Sequence, residues 1–283
     1  MSMSDRKNKT WFITGTSRGL GYEIAVAALA AGENVVATGR NLDALRKVYK
    51  PDERLLLLAL DVCSHSQAED CAKQAAAHFG GVDILVNNAG YGQLGVFEEV
   101  AADKISAQFE TNVFGLMGVT RAILPYMREQ RQGRIFNISS IGGAIGFEGA
   151  SAYCATKFAV EGFSECLAAE VKQFGIGVTI VQPGFFRTDF LDDSSISYGD
   201  LRVSDYEQYS SAVLGGYRSR NHQQAGDPAK LGEALVKLSR EENCPLRFAA
   251  GSDAVQYLGA AYSARQEEVD KWASLSVTTD IQE

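Results

Sequence analysis

The stretch TWFITGTSRGLGYEIAVAALAAG, residues 10–32, carries the turn on which the fold is decided. Its first part, Thr10 to Thr14, is β-branched and aromatic and reads as a strand that stops at a glycine. Its last part, Leu20 to Ala31, is alanine-rich with an apolar stripe and stops at Gly32, which reads as a helix. Between them Gly15, Gly19 and Gly21, with Thr16, Ser17, Arg18 and Leu20, make a turn whose backbone can lie against a pyrophosphate. The following helix offers unpaired N–H groups and partial positive charge to such an anion. Glycine spacing alone is weak evidence; set between a strand and a helix, it points to dinucleotide binding.

The same alternation continues along the chain. Asn34 to Thr38, Leu55 to Leu60, Ile84 to Val86, Arg134 to Ile138 and Gly177 to Val181 read as strands. Leu42 to Tyr49, Gln67 to Phe79, Asp103 to Arg131 and Ala152 to Phe174 read as helices, and Ser66 with Glu69 fits a capping box. Most of the strands are continuous apolar runs, the pattern of strands covered by helices on both faces. The expectation is therefore an α/β, doubly wound parallel sheet of about seven strands, in a single domain spanning residues 1–283. Right-handed crossovers would bring the loops after each strand to one edge, where ligands sit in such folds. Beyond Pro183 the pattern loosens. Asp189 to Gly226 is polar and reads as short mobile helices, with residues 185–225 a substrate-binding loop or lid. Residues 227–283 read as helix, strand and helix: Asp227-Pro228 opens a helix to about Ser239, Leu246 to Ala250 is a strand, and Ala254 to Trp272 closes the chain.

Composition narrows the partners. Lys plus Arg number 27 and Asp plus Glu 35, a net charge of -8, so the surface repels nucleic acid and anionic lipid. Cys63, Cys71, Cys154, Cys166 and Cys244 form no CxxC pair, which argues for reduced thiols and a cytoplasmic location. No apolar run approaches the roughly 18 residues of a membrane helix, and Met1 to Lys9 lacks an apolar signal core. His65, His78 and His222 share no i,i+4 partner, so no metal site is expected.

The end of the second strand selects the dinucleotide. An acidic side chain there would accept from an adenosine ribose and repel a 2'-phosphate. The sequence reads ATGR instead, with Gly39 leaving the place empty and Arg40 offering a guanidinium fork; Arg18 adds a second cation. NADP(H) over NAD(H) follows. Farther along, Tyr153 and Lys157 lie four residues apart and share a helix face. A neighbouring ammonium favours phenolate and draws a tyrosine toward acid/base work near neutral pH. Ser140 lies 13 residues before Tyr153 at the mouth of a strand, where its hydroxyl could hold a substrate oxygen.

Taken in order, TGTSRGLG (Thr14 to Gly21), Asp61-Val62, NNAG (Asn87 to Gly90), TNVFG around Asn112, NISS ending in Ser140, YCATK (Tyr153 to Lys157) and Pro183-Gly184 with Thr188 resemble the short-chain dehydrogenase/reductases, a family with the Rossmann-type fold. The resemblance implies that Tyr153 is the general acid/base and that Lys157 binds the nicotinamide ribose and tunes the tyrosine. It also implies that Ser140 orients the carbonyl, with Ser139 the fallback, and that Asn112 positions a water in the proton relay. By the same resemblance Asp61 and Val62 meet the adenine, Asn88, Ala89 and Gly90 wall the cofactor, and Pro183, Gly184 and Thr188 meet the nicotinamide. PLRFAAGSDA, Pro245 to Ala254, looks like the 17β-hydroxysteroid and retinol dehydrogenase-like branch.

The reaction implied is reversible reduction of a ketone or aldehyde on a lipophilic small molecule. Its pocket is expected from Tyr91 to Leu94, including Gln93, from Gly142 to Glu148, and from Phe185 to about Tyr217. Phe147, Phe185, Phe186, Phe190 and Tyr198 would give an aromatic lining, and Glu148 could orient a polar group. Family members pair through two long helices, so a homodimer or homotetramer is expected by analogy. Two other classes share the fold: a non-catalytic NADP(H)-sensing protein, which would bind without turnover, and an epimerase or dehydratase, which would hold its cofactor tightly.

Overall fold

A computed structural model describes residues 8–192 and 195–281. The expectation about the N-terminal segment lies outside these residues for positions 1–7, as does the part of the lid at 193–194. In chain order the elements begin with β1 (Thr10–Ile13), α1 (Gly19–Ala30), β2 (Asn34–Gly39), α2 (Leu42–Val48), β3 (Leu55–Ala59) and α3 (His65–Phe79). They continue with β4 (Ile84–Asn87), β5 (Gly92–Leu94), α4 (Ala102–Phe109), α5 (Leu116–Gln130), β6 (Gly133–Ile138) and α6 (Ser151–Val171). The last six are β7 (Ile176–Pro183), β8 (Ile196–Tyr198), α7 (Glu207–Ser219), α8 (Pro228–Leu238), β9 (Arg247–Ala250) and α9 (Ser252–Ser276).

Seven strands form one parallel sheet in the order β3-β2-β1-β4-β6-β7-β9. β1 shows why its residues read as an unbroken apolar run. Phe12 points to one face, into a core with α3, α5 and α6, while Trp11 and Ile13 point to the other, against α1, α2 and α8. All three are 0 % exposed, so side chains alternating between faces still meet apolar neighbours everywhere. Burying each such side chain stabilises the fold by about 1.5–3 kcal/mol.

Three expectations change. The helix expected over Asp103 to Arg131 is interrupted by a π-helical segment, Glu110–Gly115, which joins α4 to α5. There Gly115 packs under Val62, close enough that a methyl group at Gly115 would lie 2.8 Å from a Val62 methyl. The capping box at Ser66 does not form; Ser64 caps α3 two residues earlier, its hydroxyl accepting from the Gln67 N–H. The segment after Asp189 holds the expected short helices, in single turns at Asp189–Leu191 and Ser204–Tyr206 and in the 13-residue α7, but it also holds the unexpected β8, which pairs in parallel with β5 as a separate two-stranded sheet. This pairing was invisible in sequence because three-residue strands carry no periodicity. The expected N-cap and N1 proline at Asp227-Pro228 are present, the Asp227 carboxylate accepting from Ala229 N–H at 3.0 Å. Among the described residues no helix is long and apolar enough to cross a membrane.

Candidate active site

A cleft of about 660 Å³ runs along the C-terminal ends of the strands, from the β1–α1 turn at one end to α6 at the other. At the first end Gly15 and Gly19 adopt φ of +70° and +61°, which side-chain-bearing residues rarely do. A methyl group at Gly15 would sit 3.0 Å from the Ala89 backbone. Helix α1 starts at Gly19 with no side chain capping it, so its first N–H groups face the cleft. Gly15, Ser17, Arg18, Gly19 and Leu20 line this end, as expected.

Thr16 and Gly21 do not line it, which corrects the sequence reading. Thr16 is fully buried, its hydroxyl donating to the Thr38 carbonyl and its own carbonyl accepting from the Tyr49 hydroxyl at 2.9 Å. Gly21 lies behind the turn, where a methyl group would strike the Gly15 carbonyl and the Asn88 amide. Asn88 staples this turn to β4 by donating to the carbonyls of Thr14 and Gly15 at 2.9 and 3.0 Å. In return the Thr14 hydroxyl accepts from the N–H groups of Asn88 and Ala89.

Gly39 and Arg40 line the cleft past β2, and Arg40 is exposed. Asp61, Val62, Asn88, Ala89 and Gly90 form the next part of the wall. Asp61 turns its carboxylate onto the Cys63 N–H at 3.1 Å. Pro183, Gly184 and Thr188 close the opposite side, and a methyl group at Gly19 would come within 3.7 Å of Thr188. Gly184 has to be glycine because the Asp253 carboxylate fills the space a side chain would need, accepting there from Phe185 N–H at 2.7 Å.

At the far end Tyr153 and Lys157 project from α6 into the cleft. The Lys157 ammonium donates to the Ile138 carbonyl at 2.8 Å and lies 5.8 Å from the centre of the Tyr153 ring. Burial pushes the Tyr153 phenol up to about 12, with the Ser140 hydroxyl pulling against it. Burial likewise pushes Lys157 down to about 8, with Glu161 opposing. The sequence reading had the lysine lower the tyrosine; in this structure burial dominates both groups. At neutral pH the pair is a protonated phenol beside an ammonium, a proton donor with a cation behind it. Ser140 lies just past the end of β6 and lines the cleft with that phenol, and its oxygen accepts from Gly142 N–H at 3.0 Å. Ser139, the fallback, also lines the cleft, though its side chain is buried beside Glu161.

Asn112 sits behind the wall in the π-helical segment, 1 % exposed. Both donor hydrogens of its amide are committed, to the Tyr91 carbonyl at 3.0 Å and the Thr156 hydroxyl at 3.2 Å, and its oxygen accepts from Tyr91 N–H at 3.1 Å. Its side chain therefore clamps the Tyr91 segment.

Of the expected substrate contacts, Phe186 and Phe190 line the cleft, and the Phe190 ring lies 5.8 Å from that of Tyr153. Gln93, Glu148 and Phe185 do not. Gln93 is buried in β5, its amide donating to the Leu94 carbonyl. Glu148 is exposed and offers its backbone carbonyl to the Tyr217 hydroxyl. Phe185 packs edge-on to Phe147 under the Arg220 guanidinium, and Tyr198 lies under Arg218. The sequence reading missed Ala107 and Thr111, which line the cleft one turn apart where α4 passes into the π segment. An i,i+4 pair of small residues just before Asn112 was the available signal. Cys63 also lines the cleft, and all five cysteines are free. At the outer edge the ligating atoms of Asp189, Asp192 and His222 lie within 4.8 Å of one another, a grouping sequence spacing did not show; His222 Nε2 is 3.0 Å from Asp192.

The uncapped helix, the glycine turn against β4 and the elongated cleft fit a dinucleotide, and comparison with known proteins agrees. Residues 9–198 match the short chain dehydrogenase family model. The chain belongs to the short-chain dehydrogenase/reductase family. The oxidoreductase BOA17 of Botryotinia fuckeliana is 38% identical over 277 residues, 96% of this chain and 99% of that protein. A 3-ketodihydrosphingosine reductase of Bacteroides thetaiotaomicron is 38% identical over 84% of this chain and 86% of its own. A short-chain dehydrogenase structure from Streptomyces avermitilis superposes with a TM-score of 0.88 at 40% identity, covering 97% of this chain and 99% of that one. A 3-ketoacyl-(acyl-carrier-protein) reductase from Brucella melitensis, complexed with NADH, gives a TM-score of 0.70 at 25% identity over 83% and 91% of the two chains. This short-chain dehydrogenase/reductase is thus an oxidoreductase acting between CH–OH and C=O, with a fold that binds NAD(P)(H).

Proposed function

We propose that this protein is an NADPH-preferring carbonyl reductase for lipophilic ketones or aldehydes, with alcohol oxidation as the reverse reaction. One observation carries the reading: the Tyr153 phenol, the Ser140 hydroxyl and the Lys157 ammonium converge at one end of the cleft whose other end carries Arg40 and Arg18. Gly15, Ser17, Gly19, Leu20 and the start of α1 would hold the pyrophosphate, Arg40 and Arg18 the 2'-phosphate, and Lys157, Pro183, Gly184 and Thr188 the nicotinamide end. When bound, NADPH supplies the hydride. Tyr153 and Ser140 bind the substrate oxygen where negative charge develops, and Tyr153 gives it a proton. Lys157 places a positive charge behind that phenol, and Asn112 keeps Tyr91 against the cleft. Phe186, Phe190 and Ile196 give the substrate end apolar walls with Ser195 and Ser197 at its rim, which suits a mainly apolar ketone. The 3-ketodihydrosphingosine reductase relative and the resemblance to the 17β-hydroxysteroid and retinol dehydrogenase-like branch support a lipophilic substrate. Free cysteines support a cytoplasmic location, and α5 and α6 are the surfaces on which a homodimer or homotetramer would form.

Tyr153→Phe tests the assignment. Turnover across a panel of lipophilic ketones, followed at the reduced-nicotinamide absorbance, is expected to fall by about 10²–10⁴-fold. NADPH affinity, read by fluorescence titration, is expected to hold within about twofold. Near-normal turnover in this variant overturns the reading, and NADPH binding without turnover in the wild type across the panel would favour a sensing protein.

A further inference from the structure

Where β7 leaves the central sheet, the chain is held by the turn between β9 and α9. Pro183 is in register with Ala250, and the Gly184 N–H donates to the Ala250 carbonyl at 2.9 Å. The ladder stops there, because Gly251 turns away with φ of +103° and α9 begins at Ser252. The next N–H along, that of Phe185, donates to a side chain instead: Asp253 Oδ2 accepts it at 2.7 Å, from 68 residues away. An acidic residue in the first turn of a helix ordinarily serves the free N–H groups of that helix. Oδ1 does so, accepting from Ala254 N–H at 2.8 Å. Oδ2 leaves the helix and holds the cleft-side segment, which capping does not account for. Two glycines make room for the carboxylate: it is the nearest group to a methyl placed at Gly184, and a methyl at Gly251 would lie 2.6 Å from Oδ1.

The same segment is fixed from its other side by Gly226, whose N–H donates to the Phe185 carbonyl at 3.0 Å and whose carbonyl accepts from Arg187 N–H at 2.9 Å. Phe185 is thus gripped at both its N–H and its carbonyl, while its neighbours Gly184 and Phe186 line the cleft with Pro183 and Thr188. We propose that Asp253 is a positioning residue for the nicotinamide half of the dinucleotide: its carboxylate holds the backbone of Gly184 to Phe186 in the shape against which that ring is placed. The proposal rests on the assignment of Pro183, Gly184 and Thr188 to the nicotinamide end made above. Asp253 is not among the residues lining the cleft, so it acts through the backbone that it holds.

The test compares two ligands of the full chain by titration calorimetry: NADPH, and 2'-phospho-ADP-ribose, which keeps the adenosine, the pyrophosphate and the 2'-phosphate but has no nicotinamide. In Asp253→Ala the NADPH dissociation constant is expected to rise about tenfold, the loss of roughly one charge-assisted hydrogen bond, and that of the nicotinamide-free ligand to hold within about twofold. In Asp253→Asn the amide oxygen can still accept from Phe185 N–H without the charge, so the rise in the NADPH constant is expected to be about threefold. A purely structural role would weaken both ligands alike or neither. An unmoved NADPH constant in folded Asp253→Ala, or equal weakening of both ligands, overturns the proposal; if that variant does not fold, Asp253→Asn decides alone by the same two outcomes. Thr188→Val, read with the same ligands, separates this failure from a failure of the nicotinamide assignment. When it weakens NADPH alone and Asp253→Ala does not, the assignment stands and the role of Asp253 falls; when neither variant does, both fall. NADH with ADP-ribose reads the same difference without the 2'-phosphate, so the outcome does not depend on the cofactor preference.

Discussion

At the dinucleotide end the cleft wall is mostly backbone, supplied by strand ends of the central sheet: the β1–α1 turn, Gly39 at the end of β2, and Asn88 to Gly90 after β4. At the substrate end it is side chains carried by connecting segments: Phe186, Phe190, Ile196 and the rim serines. The first wall is placed by parallel register between long buried strands, the second by a three-residue ribbon, β5 with β8, and by a few long-range polar contacts. A wall set by the sheet tolerates little change in shape, and one set by side chains can be recast without disturbing the sheet. Family members can therefore share a cofactor site and differ in substrate.

The comparison breaks most visibly where a side chain does enter the dinucleotide end. Arg40 is exposed, lines the cleft and is followed by Asn41, which caps α2 through Ala44 N–H at 3.1 Å. Arg40→Asp replaces the guanidinium with a carboxylate and leaves that cap in place. A charge-assisted bond to phosphate is worth about 1.5–3 kcal/mol, so NADPH affinity relative to NADH is expected to fall about 10–100-fold. Dissociation constants for both nucleotides check this. An unchanged ratio would mean that Arg40 does not read the phosphate and would return the cofactor preference to neutral.

A smaller effect is expected behind the same turn. Gly21→Ala puts a methyl group against the Gly15 carbonyl and the Asn88 amide, neither of which can move without breaking the bonds from Asn88 to Thr14 and Gly15. Overpacking of this kind costs about 1–3 kcal/mol. Thermal unfolding is expected to come earlier by a few degrees, with weaker binding of both dinucleotides and no change in their ratio. Selective loss of NADPH alone would show that Gly21 serves the ligand rather than the turn.

These two glycine-loop and strand-end features were legible in sequence because each depends on neighbours within a few residues. The seven strands, the turn at Gly15 to Gly21, and the i,i+4 pair Tyr153 and Lys157 follow from local periodicity and spacing. Thr16 and Gly21 were read as ligand contacts because spacing cannot tell the inner from the outer side of a turn; Tyr49, 33 residues away, occupies the inner side of Thr16. Asn112 was placed correctly in the chain, but its amide partners come from Tyr91 and Thr156, 21 and 44 residues distant. Gln93, Glu148 and Phe185 were chosen as loop residues near the site, and the side-chain directions that turn them away depend on β8, Tyr217 and Asp253. Loop residues at such separations leave no periodic trace.

The weakest of these effects tests the substrate end by itself. Glu99 is 3 % exposed, and its two carboxylate oxygens accept from the Ser210 hydroxyl of α7 at 2.5 Å and from Val203 N–H at 3.3 Å. Its backbone carbonyl accepts from Leu201 N–H at 3.1 Å, so one residue ties down both the start of α7 and the segment after β8. Lys104 adds a bond to the Tyr198 carbonyl at 2.9 Å, which keeps β8 in place when the Glu99 contact weakens. Glu99→Gln keeps the shape and one acceptor and loses the other, at about 1 kcal/mol. KM for ketone is then expected to rise about fivefold, since 1.4 kcal/mol corresponds to a factor of ten. The NADPH dissociation constant should hold within about twofold, and amide exchange should quicken over residues 199–219. Equal losses in ketone and NADPH binding would contradict the division, because Glu99 would then have to act through the sheet. Among the described residues its side-chain bonds run to α7 and to the chain after β8, not to the central sheet.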